Sequence, residues 1–123
     1  MNKPLVAIVT PVYNGAEYLD EAMSSVQAQT YPNLVHVVID NASTDATPEI
    51  IARYRAKRVP VIVYRNNATV SVRANFEMAV QSAPQNAAYI RILCADDIFY
   101  PTSTEEMVAL GEAHPNAGVV GMT

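Results

Sequence analysis

The sequence predicts an α/β fold, a mostly parallel sheet with helices on both of its faces. Three observations carry that expectation. Strand-type runs alternate with helical patterns along the whole chain, in the order β-α-β-α-β-α-β-α-β. Two of the runs, Leu5 to Val9 (L-V-A-I-V) and Leu34 to Ile39 (L-V-H-V-V-I), are almost unbroken in apolar residues, the pattern of strands covered on both faces. Polar loops rich in Asn, Asp, Ser and Thr follow strands, which in such sheets collects binding groups along one edge.

Taken in order, Leu5 to Val9 is the first strand and should be central. Thr10 to Gly15 (T-P-V-Y-N-G) reads as a turn, after which Tyr18, Leu19, Ala22, Met23 and Val26 recur at helical spacing. Asn14 and Glu17 have the separation of a capping box, which makes Asn14 the expected N-cap. Tyr31-Pro32-Asn33 stops that helix. The strand Leu34 to Ile39 runs into the loop Asp40 to Pro48, where Thr47 is suited to cap the next helix and Pro48 to its first position. Ile50, Ile51 and Tyr54 give this helix a buried side, while Arg53, Arg55, Lys57 and Arg58 read as a solvated face placed for a helix C-terminus. Val61 to Tyr64 is the third strand. Ser71 is the expected cap of a helix with Val72, Phe76, Ala79 and Val80 on one side. Tyr89 to Leu93 is the fourth strand, Ser103 to Ala113 a helix, and Ala117 to Met122 a last strand-like stretch.

At 123 residues, half of them hydrophobic, the chain is long enough for one domain with a real core. It shows no internal repeat, low-complexity segment or linker. The longest apolar run falls far short of the ~20 residues a spanning helix needs. Met1-Asn2-Lys3-Pro4 leads straight into a strand without the layout of a signal peptide, and the single Cys94 has no partner for an internal disulfide. These features predict a cytoplasmic protein, peripheral to a membrane only through parts beyond this chain. The net charge of −4 argues against non-specific nucleic-acid binding, which calls for a basic stripe.

The stretch Tyr89 to Pro101 (Y-I-R-I-L-C-A-D-D-I-F-Y-P) holds the most pointed chemistry. Its strand ends in two adjacent acids, Asp96 and Asp97, which repel each other unless a cation, a donor-rich ligand or solvent offsets the charge. An ordinary polar turn fits these two residues equally well. Together with the Thr10 to Gly15 and Asp40 to Asp45 loops, however, they should converge at one sheet edge. That convergence predicts a ligand with hydroxyls and phosphate, and a divalent cation held by oxygen. No G-x-G-x-x-G follows the first strand and no G-x-x-x-x-G-K-S/T occurs anywhere. His36, His114 and Cys94 are too few and too scattered for a zinc centre; His36 reads as a strand residue and His114 as a helix-end residue. A receiver-type signalling module has this length, but it would carry its acid pair after the first strand, where this chain has Thr10-Pro11.

Four pieces in order, T-P-V-Y-N-G (Thr10 to Gly15), S-V-Q-A-Q-T-Y-P-N (Ser25 to Asn33), V-V-I-D-N-A-S-T-D-A-T (Val37 to Thr47) and L-C-A-D-D-I-F-Y-P (Leu93 to Pro101), resemble family 2 glycosyltransferases of the GT-A fold. H-P-N-A-G-V-V-G (His114 to Gly121) resembles a strand those enzymes carry after the helix that follows the acids. The resemblance covers nearly the whole chain and implies a Rossmann-like sheet that forms the first part of a GT-A fold.

It further implies a nucleoside-diphosphate sugar as donor, commonly a UDP-sugar, and inverting transfer to an acceptor hydroxyl on a glycan, lipid or protein. Position by position, it places Thr10, Pro11, Tyr13, Asn14, Asp40 and Asn41 around the nucleobase, with Asn41 standing where many members have a second acid. Arg73 is the candidate for the basic residue that helps hold the nucleotide. Asp96 and Asp97 match the D-x-D region that holds Mg²⁺ or Mn²⁺ on the diphosphate, while Cys94 stands where many members have a further acid. The base that takes the acceptor's proton lies, in such enzymes, beyond the stretch matching Val119 to Thr123. Residues 1–123 are therefore expected to be a single donor-binding domain from the front of a longer enzyme. Such a domain should be inactive alone and self-associate through its uncovered sheet. The contrasting reading is a binding or signalling module without turnover.

Overall fold

The computed structural model describes residues 3–120. Four parallel strands, β1 (Val6–Val12), β2 (Leu34–Asp40), β3 (Val61–Arg65) and β4 (Tyr89–Ile92), form one sheet in the order β3-β2-β1-β4. Between and after them run α1 (Leu19–Gln27), α2 (Thr47–Ala52), α3 (Val72–Gln81) and α4 (Ser103–Ala113). The predicted class and the eight elements from the first strand to α4 stand. The two apolar runs became the two central strands, and every residue of β1 and β2 is buried.

Alternation along β1 shows how the layers are built. Val6 and Ile8 pack with Ala22 and Val26 of α1 and Val108 of α4, while Val12 meets Leu19, Met23 and the α2 residues Ile50 and Ile51. Ala7 and Val9 point the other way, onto Ala79 of α3. The connections explain the arrangement. From β1 to β2 to β3 the chain steps in one direction, with its helices on one face; from β3 it must return across β1 to β4, and a right-handed crossover then puts α3 on the opposite face. The step reverses between β1 and β4. A crevice therefore opens beyond the carboxyl ends of those two strands.

Three local expectations need correction. The turn predicted from Thr10 does not begin there, because β1 continues to Val12 with Thr10, Pro11 and Val12 opposite Val38, Ile39 and Asp40. Pro11 is tolerated because β4 pairs with β1 only as far as Val9, so the missing N–H faces a side with no strand left to satisfy. Second, α3 buries only Ala79 of the face proposed for it: Asn75 points inward beside it, while Val72 is 73% exposed and Val80 is exposed as well. A hydrogen bond from Asn75 Nδ2 to the Ile39 carbonyl near the end of β2 goes with that rotation. Third, residues 117–120 form no strand, and residues 121–122 of the expected stretch lie outside the described residues. A groove of about 450 Å³, lined by Ala88, Ile90, Met107 and Val119, lies between this segment and β4.

Candidate functional site

The crevice is built by two loops that meet at the switch point. Gly15 makes the approach possible, since a Cβ there would come within 2.6 Å of Val12 Cγ2 and 3.3 Å of Ala95 Cβ. The loop after β1 is thus pressed against the acidic loop after β4. Tyr13 and Asn14 stand exposed at this rim, Asn14 in the left-handed region at φ 49°. Asn14 does not cap α1, whose first turn starts later, after Tyr18, and has no side-chain cap. Its carboxamide oxygen accepts instead from the Thr44 N–H at 2.8 Å.

The loop after β2 laces the loop after β1 from below. Three successive backbone N–H groups, of Asn14, Gly15 and Ala16, donate to Ser43 Oγ, Thr47 Oγ1 and Asp45 Oδ2 at 2.9, 2.9 and 3.1 Å. Thr47 therefore spends its hydroxyl on Gly15 and does not cap α2; Asp45 takes that place by accepting from the Thr47 N–H at 3.0 Å. Burial pushes the Asp45 carboxyl up, but hydrogen bonds from Thr47 and from the Ala16 N–H outweigh it and leave the group below its ordinary range. The polar run N-A-S-T-D-A-T is largely a structural lace.

Asp40 ends β2 only 2% exposed. One carboxylate oxygen accepts from the Ser43 N–H at 3.0 Å and the other pairs with Arg65, the last residue of β3 and its register partner. Arg65 also donates to the Ser43 carbonyl at 2.9 Å. The sequence pattern, which ends the third strand at Tyr64, does not single out Arg65; its position facing Asp40 across adjacent strand ends does. Asp40→Ala is expected to lower stability by about 1–3 kcal/mol in urea unfolding, since it strands both the Ser43 N–H and a half-exposed guanidinium.

Other predicted site residues are placed differently from one another. Thr10 is fully buried, its hydroxyl 2.7 Å from His36 Nε2, so it supports the sheet beneath the crevice and offers nothing to a ligand. Pro11 is buried beside it. The Asn41 carboxamide is consumed internally by both backbone groups of Val70 and by Asn66, which corrects its assignment as a base acceptor. Arg73 stands out in solvent, 90% exposed, and among the described residues is paired only with Glu77 one turn on. The structure does not bond it to any other predicted site residue.

Asp96 and Asp97 sit exposed in a tight turn closed by the Asp97 N–H to the Cys94 carbonyl at 3.0 Å. Neither carboxylate has a hydrogen-bonding or ionic partner among the described residues. Burial raises the pKa of the neighbouring Cys94 thiol, and the charges of Asp97 and Asp96 raise it further, so the thiol stays protonated and is no nucleophile. The Tyr18 phenol is pushed up chiefly by Glu17, with the Asp96 charge a smaller contributor. The donor set suits a hard cation. Two adjacent carboxylates with no third Asp, Glu, His or Cys grouped beside them, among the described residues, leave most of the coordination sphere to phosphate oxygens and water, as Mg²⁺-type ions prefer.

What holds the acid turn in place is Gln29, a buried residue of the S-V-Q-A-Q-T-Y-P piece. Its Nε2 donates to the Tyr100 carbonyl at 2.7 Å, and its Oε1 accepts from the N–H and hydroxyl of Thr104. Ser25 Oγ accepts from the Phe99 N–H at 3.1 Å. Arg91 lies over the Phe99 ring at 3.8 Å and donates to Ser103 and Thr104. The two sequence pieces are thus halves of one clamp on the residues after Asp97.

A parallel α/β sheet with exposed acids beyond its strand ends, at the point where strand order reverses, has the layout in which this class of protein binds ligands. The family model described as glycosyl transferase family 2 matches residues 7–123, and the chain belongs to that family. Membership excludes the receiver-type alternative. An uncharacterized glycosyltransferase of Rickettsia typhi is 32% identical over 117 residues, which are 95% of this chain and 35% of that protein. Among solved structures, S. aureus TarS in complex with UDP shares the fold with a TM-score of 0.82 at 22% identity, covering 90% of this chain and 33% of that one. The mannosyltransferase PcManGT from Pyrobaculum calidifontis, in complex with GDP-Man and Mn²⁺, aligns with a TM-score of 0.71 at 25% identity, covering 80% and 29%. The chain thus spans about a third of the length of these proteins. Among the described residues, no helix is long and apolar enough to cross a membrane.

Proposed function

We propose that this chain is the donor-binding part of an inverting, cation-dependent glycosyltransferase that uses a nucleoside-diphosphate sugar, a UDP-sugar first among them. One observation carries the reading: Gly15 packs against Ala95, so the loop with the exposed Tyr13 and the turn with the unpartnered Asp96 and Asp97 meet at one sheet edge. TarS with UDP and PcManGT with GDP-Man and Mn²⁺ support the ligand class.

In this reading Tyr13 lies against the nucleobase and Asn14 shapes the rim beneath it. Asp40 acts from below by holding Arg65 and the Ser43 turn. Asp96 and Asp97 hold Mg²⁺ or Mn²⁺, which neutralises charge on the departing diphosphate. The acceptor's proton needs a separate base. Asp40 is held by Arg65 and Ser43, and Asp45 by Ala16 and Thr47, while Asp96 and Asp97 serve the cation; Glu17 just precedes α1 and the remaining acids stand on α1 to α4, so we assign the base outside residues 3–120.

Titration calorimetry with UDP, GDP, CDP and ADP in the presence of Mn²⁺ tests the proposal. UDP should bind most tightly. Heat no greater than that of Mn²⁺ alone, for all four nucleotides, would overturn it.

A further inference from the structure

We infer that Asn41, Asn66 and Asn75 are positioning residues for nucleotide recognition: their amides fix residues 66–70, between β3 and α3, as one wall of the crevice without touching the ligand. The inference rests on the donor-nucleotide reading above.

Asn41 Oδ1 accepts from the Val70 N–H and from Asn66 Nδ2, both at 2.9 Å, while its own Nδ2 donates to the Val70 carbonyl at 2.9 Å. Its carboxamide pairs with Val70 as a neighbouring strand would, supplying the donor and the acceptor that this loop lacks. Asn66 Nδ2 donates also to Asn75 Oδ1 at 3.0 Å, and Asn75 Nδ2 to the Ile39 carbonyl at 3.3 Å. The Asn66 N–H donates to the Asp40 carbonyl at 2.9 Å. Three side chains thereby join the end of β2, the loop and the first turns of α3. Ser71 closes the far side by accepting from the Ala74 N–H at 3.1 Å.

Burial makes this arrangement costly to keep for stability alone. Asn41 and Asn75 are 2% and 3% exposed, and Asn75 occupies the inward face of α3 next to Ala79, where an apolar side chain would pack without needing partners. Only a carboxamide meets the demand at Asn41: aspartate has no proton for the Val70 carbonyl and would place a charge against it. A satisfied buried network of this kind fixes geometry. What it fixes here is the loop next to Asp40 and Arg65, on the same sheet edge as Tyr13. The inference makes these amides the determinants of the pocket's width and of its choice among bases.

The test compares wild type with Asn66→Ala, at the half-buried member of the chain, and Asn75→Ala, each checked for cooperative unfolding. UDP and GDP are titrated with and without Mn²⁺. In both variants UDP affinity should fall about tenfold or more and the preference for UDP over GDP should narrow, while the fold-gain from Mn²⁺ stays as in wild type. A role confined to stability would move the unfolding midpoint and leave these ratios unchanged. Folded variants with wild-type UDP affinity and base preference would overturn the inference. A wild-type chain that binds none of the nucleotides would instead overturn the donor-nucleotide reading, and this inference with it.

Discussion

Asp96→Ala is expected to abolish the gain in nucleotide-diphosphate affinity that Mn²⁺ confers, and to lower sugar transfer by the whole enzyme by roughly 10²–10³-fold. The turn that carries Asp96 is fastened from elsewhere, by Gln29 to Tyr100 and Thr104, by Ser25 to Phe99, and by the backbone bond of Asp97 to Cys94. Asp96 itself is exposed and contributes no hydrogen bond to that fastening. Its truncation should therefore leave the fold intact and read out only on the cation. Calorimetric titration of UDP with and without Mn²⁺ supplies the measurement. Retention of the full Mn²⁺ gain in Asp96→Ala would show that the cation is held elsewhere. Asp97→Ala should act in the same direction, and a larger loss there would exchange the weights of the two acids.

Acid should destabilise this chain through a group that takes no part in binding. His36 is completely buried, and burial lowers its pKa from 6.5 to about 3. Its Nε2 lies 2.7 Å from the Thr10 hydroxyl, while Nδ1 has no partner. The neutral ring keeps its proton on Nε2, since an unprotonated Nδ1 is less costly to leave orphaned than a buried N–H. Between pH 3 and 6.5 the unfolded chain binds a proton at this residue and the folded chain does not, so stability rises with pH across that window. It is complete above the unfolded pKa and lost as pH falls toward about 3. The contribution is on the order of 4 kcal/mol. Urea unfolding from pH 7 to pH 4 should show a steeper loss for wild type than for His36→Gln, which keeps a donor near Thr10 but cannot titrate. Parallel pH profiles would refute the assignment.

Much of the fold was legible in the residues because it follows from periodicity. Short, nearly unbroken runs rich in β-branched residues fit strands covered on both faces, and L-V-A-I-V and L-V-H-V-V-I became the central pair. The four family-like pieces likewise identified the acid turn and the loops that flank it. Individual roles were harder to read, because a polar side chain's role depends on what stands across from it. Asn14, Thr47 and Asp45 all carry capping chemistry, yet only the meeting of two loops decided that Asp45 would serve α2 and that Thr47 would serve Gly15. Arg65 and Arg73 are both arginines after the third apolar run. Strand register put one of them opposite Asp40 and helix rotation turned the other into solvent.

By itself, then, the sequence determined the class of sheet, the order of its elements, the family and the acidic turn, all properties of local pattern along the chain. Only the tertiary structure decided which polar groups remain free for a ligand. A bond between adjacent strands had already consumed Thr10, bonds between loops had consumed Asn41, and Tyr13, Asp96 and Asp97 were left exposed. The physical reason is that a buried polar atom must find a partner wherever the fold provides one. Which partner that is depends on strand order and register, and on the close packing at Gly15 that brings β1 and β4 together at the crevice.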